Sequence, residues 1–236
     1  MERKLETLLD DLQHMFPGDL IAVFLYGSAA AGEHVSGRSD INVGVVLRNV
    51  EAATLRKASA RIGAWHRLGF STPLFIDPDF LQGAVDVFPI EFQDMRDRHR
   101  VLFGPDVLAG LQISEHDLRR QCEQELRGKL LKLRQTYIES AQDPETLGAV
   151  LIPAVSSIAV LARMLLRLHG HDPSGRTDAV FARVHERLGV QTGALLTAWQ
   201  LKTRAVRRTG SELERLFADV IEATAHLAQV ADASRK

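Results

Sequence analysis

Residues 26–47 read YGSAAAGEHVSGRSDINVGVVL, a stretch whose small and polar residues are suited to holding a phosphate and a divalent cation. Gly27 and Ser28 follow an apolar run, which predicts a strand, a tight turn and a short helix over residues 29–31. A glycine lets a phosphate approach the backbone, a serine adds a hydroxyl donor, and the first N–H groups of a helix attract anions. The stretch therefore predicts an anion site at Gly27 and Ser28.

Asp40 and Asn42 lie two residues apart at the start of the next predicted strand. Residues i and i+2 of a strand share a face, so both side chains are expected to point the same way. Hard cations such as Mg²⁺ bind one or two carboxylates together with phosphate oxygens and water. This predicts a metal site near the Gly27 turn, with the alternative that Asp40 only caps the turn after SGRS.

Glu91 lies in the apolar segment AVDVFPIEFQDM, for which the sequence predicts a strand over residues 87–92. A carboxylate buried there needs a partner, because desolvating it alone is costly. The partner is either a metal ion or, if Glu91 faces solvent, an arginine such as Arg96 or Arg100. Asp86 is the alternative acid, although it is expected to precede the strand.

The pattern of apolar residues changes near residue 110. The first part predicts helices over 2–15 and 51–67, a short helix capped by Asp77, and strands over 20–26, 41–47, 73–76 and 87–92. The second part predicts helices over 114–140, 144–169, 177–188, 192–208 and 211–231. We therefore expect an α+β chain with a mixed-sheet domain over 1–108 and an antiparallel helical bundle over 109–236.

The run GSAAAGEHVSGRSDIN, followed by a late acid, resembles the nucleotidyltransferase superfamily that includes DNA polymerase beta, kanamycin nucleotidyltransferase and the small MNT-type proteins. The pattern of that superfamily is Gly-Ser, a small helix often written Ala-Arg-Gly, and then Ser-Asp-x-Asp. The resemblance covers about the first 105 residues. A helical domain often follows the catalytic one in this superfamily, as is predicted here.

The resemblance implies a two-metal transfer of a nucleoside monophosphate from an NTP, with ATP as the first candidate, to an acceptor hydroxyl. Gly27 and Ser28 would bind the β- and γ-phosphates, and Asp40 would bind Mg²⁺. The residue at position 42 would bridge the two ions. Glu91 would be the third carboxylate, which helps to activate the nucleophile.

Three features depart from the superfamily pattern. Ala31 stands where the arginine is usual, and the loop before Asp40 is one residue longer than the commonest spacing. Asn42 replaces the second aspartate, which removes one negative charge between the expected cations. A degenerate member that binds nucleotide or a partner protein without catalysis is therefore the alternative, and a purely structural role is a third.

Charge and composition restrict the remaining possibilities. The 29 Lys and Arg nearly balance the 30 Asp and Glu, so net charge does not indicate nucleic acid as a partner. With one cysteine and no signal-peptide pattern, the cytoplasm is the expected location. The apolar segment 147–166 is expected to be a buried central helix and not a membrane span. The helical half is expected either to shape the acceptor site or to be the surface for self-association or for a protein partner.

Other candidate sites in the helical half have weaker signatures. The spacing of Arg163 and His169 resembles the RNase motif of HEPN proteins, but Arg61 and His66 match it equally well. The remaining candidates are a metal site at His169, His171 and Asp172, an anion groove at the basic run 201–210, and nucleophiles at Ser156, Ser157 and Cys122. For each of these we expect an ordinary structural role.

Overall fold

The computed structural model describes residues 1–35, 39–203 and 210–233. The chain divides into two compact units, Met1–Ile113 and Ser114–Lys236. The sequence had placed the boundary after residue 108. The first unit contains the sheet, and the second consists of helices in the part of it that is described.

The described residues of the first unit form a four-stranded mixed sheet in the order β3-β2-β1-β4. The strands are β1 Leu20–Tyr26, β2 Asn42–Leu47, β3 Leu74–Ile76 and β4 His99–Phe103. β1 pairs antiparallel with both β2 and β4, whereas β2 and β3 run parallel. The last residue of β1, Tyr26, is therefore flanked by Asn42 on one side and His99 on the other.

The two faces of this sheet are covered by different helices, because alternate side chains of a strand point to opposite faces. Val23 and Val45 belong to a core cluster with residues of α1 Glu2–Met15 and α3 Ile62–Leu68. Phe24 and Val46 belong to a second cluster with residues of α4 Pro78–Gly83 and α5 Pro89–Asp97. By the same alternation, Asn42 lies on the face that carries Val46 and is covered by α4 and α5.

Most predicted elements of the first unit are present. Asp77 caps α4 by accepting the Phe80 N–H at 2.7 Å, which confirms that prediction. The predicted helix over 51–67 is interrupted, so that α2 Ala52–Ser59 and α3 are separate helices.

The strand predicted over residues 87–92 is wrong. Residues from Pro89 onward form α5, with Pro89 at its start, where the fixed φ of proline favours a helix and its missing N–H costs nothing. The buried side chains of α5 follow helical spacing: Pro89, Ile90, Phe92, Gln93 and Met95. The fourth strand is instead β4, which pairs with β1 on the side opposite β2 and for which the sequence predicted no strand.

The described part of the second unit contains five helices. They are α6 Glu115–Ser140, α7 Pro144–Leu168, α8 Thr177–Leu188, α9 Gly193–Lys202 and α10 Ser211–Ala233. α7 contacts the other four. Together with the mixed sheet, these helices confirm the predicted α+β class.

Within the described residues, α7 is the one helix that is long and apolar enough to cross a membrane by length and composition. More than half of its most apolar window, 56%, is buried inside the protein. Its buried positions include Leu151, Val155 and Ile158. A helix that is apolar nearly all round is also what the centre of a helical unit requires.

Candidate functional site

The predicted phosphate site is a compact turn over residues 27–32. Gly27 has a φ of +71°, the left-handed conformation that favours glycine. The Ala31 N–H donates to the Gly27 carbonyl at 3.0 Å, and the Glu33 N–H donates to the Ser28 carbonyl at 2.8 Å. The segment is thus a turn, and the short helix predicted over residues 29–31 is wrong.

The first N–H groups of this turn are suited to an anion. Within the described residues, the N–H groups of Ser28, Ala29 and Ala30 have no backbone acceptor. Successive N–H groups of this kind, next to a glycine in the left-handed conformation, form a concave site for phosphate oxygens. The turn therefore has donors available for an anion, and the anion site at Gly27 and Ser28 stays a prediction.

Asn42 opens β2 directly beside this turn. It is half-buried and lies opposite Tyr26, the residue before Gly27. Its Nδ2 atom is 3.4 Å from the position that a Cβ atom on Gly27 would occupy. Asp40 is exposed, two residues earlier, and Ile41 between them is buried. The buried Ile41 between two more exposed residues fits the predicted alternation, but β2 begins only at Asn42, so the shared face of Asp40 and Asn42 stays a prediction.

Ser71 holds the side chain of Asn42, a contact that was not predicted from the sequence. The Ser71 Oγ donates to Asn42 Oδ1 at 2.9 Å, and a longer contact of 3.4 Å joins it to the Ile41 carbonyl. The backbones are also joined, because Ser71 N–H donates to the Ile41 carbonyl at 3.1 Å. The one signal available in the sequence is the polar Ser71-Thr72 pair just before the predicted strand 73–76.

Arg98 contacts both ends of the turn. Its backbone carbonyl accepts the Gly27 N–H at 3.0 Å. Its guanidinium lies 3.7 Å from a carboxylate oxygen of Glu33 and 2.7 Å from one of Asp94. All three side chains are largely buried, so the charges are weakly screened by solvent.

Tyr26 lies at the base of the turn. Burial raises the pKa of its phenol above the ordinary value of 10.0, and the negative charge of Asp94 raises it further. The ring packs 6.0 Å from that of Phe24, on the sheet face covered by α4 and α5. The phenol thus remains a neutral hydrogen-bonding group at physiological pH.

Glu91 lies in the first turn of α5 and is exposed, not in a strand as predicted. Asp86, the alternative acid, is exposed in the turn that joins α4 to α5. Of the arginines considered as partners, Arg96 donates to the Leu111 carbonyl at 2.7 Å, and Arg100 pairs with Glu2. The role of Glu91 as a third carboxylate stays a prediction.

These residues fit one Mg²⁺ ion better than two. An exposed carboxylate, Asp40, together with the phosphate oxygens of a nucleotide and water, is an ordinary Mg²⁺ environment. At position 42 the ligand oxygen accepts the Ser71 hydroxyl, and an amide carries no charge. Across the described residues, no group of three or more His, Cys, Asp and Glu side chains is placed to hold a metal. The neutral Asn42 oxygen, which already accepts one hydrogen bond, offers less to a second ion than a carboxylate would, and bridging of two ions by Asn42 stays a prediction.

The other candidates in the second unit have structural contacts. Arg163 is buried and donates to the carbonyls of Pro173 and Gly175, each at 2.9 Å. Asp172 accepts the backbone N–H and the hydroxyl of Ser174, each at 2.9 Å. These contacts are typical of loop stabilisation.

Of the residues considered as nucleophiles and expected to be structural, Ser156 donates to the Ile152 carbonyl and accepts from Lys202 at 2.7 Å, and Cys122 is buried. Most of the basic run 201–210, which was considered as an anion groove, lies outside the described residues, since residues 204–209 are not among them.

No protein-family model matches the sequence, and no curated protein matches it. Among solved structures, the chain is similar to the crystal structure of spectinomycin adenyltransferase AAD(9) from Enterococcus faecialis with ATP and spectinomycin. The match covers 98% of this chain and 99% of that one, with a TM-score of 0.59 and 13% sequence identity. At that identity the similarity bears on the fold alone. The chain therefore has a nucleotidyltransferase-like fold, as the Gly-Ser turn and the Asp40-x-Asn42 strand had indicated.

Proposed function

We propose that this protein is a nucleotidyltransferase that binds a nucleoside triphosphate, with ATP as the first candidate, and transfers its nucleoside monophosphate to a hydroxyl group. The observation that carries the proposal is the pairing of Tyr26 with Asn42. This register sets the Gly27–Ser28 turn beside the edge that bears Asp40. The proposed anion site is thereby next to the start of β2, two residues after Asp40, in a fold that also occurs in an adenyltransferase solved with ATP.

In the proposed complex the turn binds the β- and γ-phosphates. The N–H groups of Ser28, Ala29 and Ala30 and the hydroxyl of Ser28 supply the donors. Arg98 stabilises the turn by accepting the Gly27 N–H and by pairing with the Glu33 carboxylate. Little reorganisation is then needed when the triphosphate binds, and such preorganisation favours phosphoryl transfer.

The reaction forms a bond between the acceptor oxygen and the α-phosphorus and breaks the bond to the pyrophosphate oxygen. One Mg²⁺ ion held by Asp40 would supply positive charge next to the phosphates. Glu91 is the proposed acceptor of the hydroxyl proton. Its helix, α5, packs through Phe92 and Met95 on the sheet face that carries Asn42.

The proposed acceptor is a small hydroxyl-bearing molecule. The similar adenyltransferase was solved with spectinomycin as well as ATP, so compounds of that type are the first to test. A net charge of −1 provides no general attraction for nucleic acid.

Nucleotide binding without transfer is the second candidate, and Asn42 is the observation that favours it. An amide whose oxygen already accepts from Ser71 replaces a carboxylate at the position that the superfamily pattern assigns to metal bridging. Loss of one negative charge there weakens the binding of cations.

Incubation with α-phosphate-labelled ATP, Mg²⁺ and a panel of acceptors that includes spectinomycin separates the two candidates. We expect transfer of label to an acceptor, loss of transfer in Asp40→Asn, and normal transfer in the control Asp79→Asn, since Asp79 is exposed on α4. Calorimetric binding of ATP without any labelled product would favour the second candidate. No binding of any NTP would refute both.

A further inference from the structure

We infer that Asn42 binds the nucleotide as a hydrogen-bond donor, and that Ser71 positions its amide for this role. The inference rests on the proposed nucleotide site and adds a specific chemistry to it. Phosphates bind at position 42 directly, without a divalent cation between the side chain and the phosphate. Asn42, which departs from the superfamily pattern, is thus assigned hydrogen bonding to phosphate instead of the metal bridging that the pattern implies.

The contacts of Asn42 define which end of the amide faces the site. Its oxygen accepts the Ser71 hydroxyl at 2.9 Å, while its nitrogen lies 3.4 Å from the Cβ position of Gly27. An amide oxygen is an acceptor and the NH₂ group is a donor of two hydrogen bonds. With the oxygen held by Ser71, the donor end is presented to the phosphate turn.

The surrounding charges favour an anion over a cation at this end. The nearby N–H groups of Ser28, Ala29 and Ala30 carry partial positive charge and have no backbone acceptor within the described residues. The amide NH₂ adds to the same positive region, whereas an aspartate would oppose it. Of the two residues Asp40 and Asn42, Asp40 alone carries a carboxylate, and it is exposed.

Ser71 is a positioning residue in this scheme. Its hydroxyl reaches Asn42 because the backbones of residues 69–71 and Ile41 are hydrogen-bonded, through Ile41 N–H to the Gly69 carbonyl and Ser71 N–H to the Ile41 carbonyl. Removing the hydroxyl leaves this backbone pairing in place. Ser71→Ala therefore isolates the effect on the orientation of the amide.

The test is calorimetric titration of the full chain with ATP, once in EDTA and once in Mg²⁺. We expect the native protein to bind ATP in both buffers. Asn42→Asp should bind about tenfold more weakly in EDTA, as expected for loss of a hydrogen bond to a charged group, and should recover in Mg²⁺. Ser71→Ala should bind about threefold more weakly in EDTA, and Ser71→Thr, which keeps the hydroxyl, should restore binding.

Ser59→Ala is the matched control. The Ser59 hydroxyl donates to the Arg56 carbonyl within α2, and neither residue belongs to the phosphate turn. Thermal unfolding of each variant checks that a change in affinity is not a loss of fold. Equal affinity of Asn42→Asp and the native protein for ATP in EDTA would overturn the inference, and so would native binding that requires Mg²⁺. Absence of native binding in both buffers would instead refute the nucleotide site itself.

Discussion

The Arg98 carbonyl accepts the Gly27 N–H at 3.0 Å, so the residue between α5 and β4 fixes the first residue of the phosphate turn. The guanidinium of the same residue pairs with Glu33, which directly follows the turn, and with Asp94 on α5. One arginine thus connects both ends of the turn to the helix that covers the sheet. The stability of the first unit and the shape of the proposed phosphate site therefore depend on the same ion pairs.

We expect Arg98→Met to lower the free energy of unfolding by about 3 kcal/mol, because it leaves the largely buried carboxylates of Glu33 and Asp94 without this cation. It should also weaken ATP binding, since the turn loses its support at Glu33. Denaturant unfolding and calorimetric titration measure the two effects.

The control for this change is Arg100→Met. Arg100 pairs with Glu2 across 3.1 Å, but both side chains are largely exposed, so we expect a loss below about 1 kcal/mol and unchanged ATP binding. Equal losses of stability in the two variants would contradict the importance assigned to Arg98.

Tyr26 is expected to make the free energy of unfolding decrease as the pH rises in the alkaline range. Its pKa in the folded protein is raised above 10.0 by burial and by Asp94, so the folded state retains the phenolic proton more tightly than the unfolded chain does. The corresponding stabilisation is complete below about pH 10 and is lost as the pH rises through the folded-state pKa.

The tyrosine content of the chain allows this effect to be isolated. The chain has two tyrosines, and the pKa of the second, Tyr137, is raised by its hydrogen bond to Glu214. In a Tyr137→Phe background, Tyr26→Phe should therefore flatten the fall in unfolding free energy between about pH 9 and pH 11. An unchanged slope would show that Tyr26 does not titrate abnormally.

The strongest sequence signals identified the fold and the turn in which the predicted phosphate site lies. The Gly27–Ser28 turn after an apolar strand, and the alternation around Ile41, depend on local backbone geometry that neighbouring residues determine. Asp77 before Pro78 likewise combines two local signals for the start of a helix. These features were predicted correctly because few distant contacts are needed to form them.

Glu91 and Ser71 show where sequence patterns were insufficient. Apolar residues around Glu91 were compatible with a strand or a helix, and Pro89 at the first position of α5, together with packing of Phe92 in one cluster with Phe24 and Val46, favours the helix. The contact between Ser71 and Asn42 joins residues 29 positions apart and depends on the parallel pairing of Ile41 with Phe70 next to them. No local pattern specifies such a pairing.

Gly27→Ala should reduce stability and nucleotide binding together. A φ of +71° costs an alanine about 1–2 kcal/mol, and the added methyl group would lie 3.4 Å from Asn42 Nδ2. Gly18→Ala is the matched control, because Gly18 has a φ of +78° and no atom within 4 Å of the added methyl group. We expect similar losses of unfolding free energy in both variants but reduced ATP affinity only in Gly27→Ala. Reduced affinity in both would mean that backbone strain alone accounts for the effect.

Arg163 should be required for the stability of the second unit and not for RNA cleavage. Its guanidinium is buried and donates to the Pro173 and Gly175 carbonyls and to Thr177 Oγ1, which ties the segment before α8 to α7. We expect Arg163→Met to lower the free energy of unfolding by about 3 kcal/mol, because three acceptors lose a charged donor.

Arg183→Met is the comparison variant for Arg163→Met, because a smaller loss of unfolding free energy is expected. Arg183 donates to the Asp172 and Ser174 carbonyls of the same segment but is more exposed, so the expected loss is about 1 kcal/mol. The native protein should leave RNA uncleaved. Cleavage of RNA that is abolished by both Arg163→Lys and His169→Ala would instead assign these two residues the nuclease role that their spacing resembles. The buried contacts of Arg163 argue against that role, because a guanidinium engaged with the loop on three sides is not available to a phosphate.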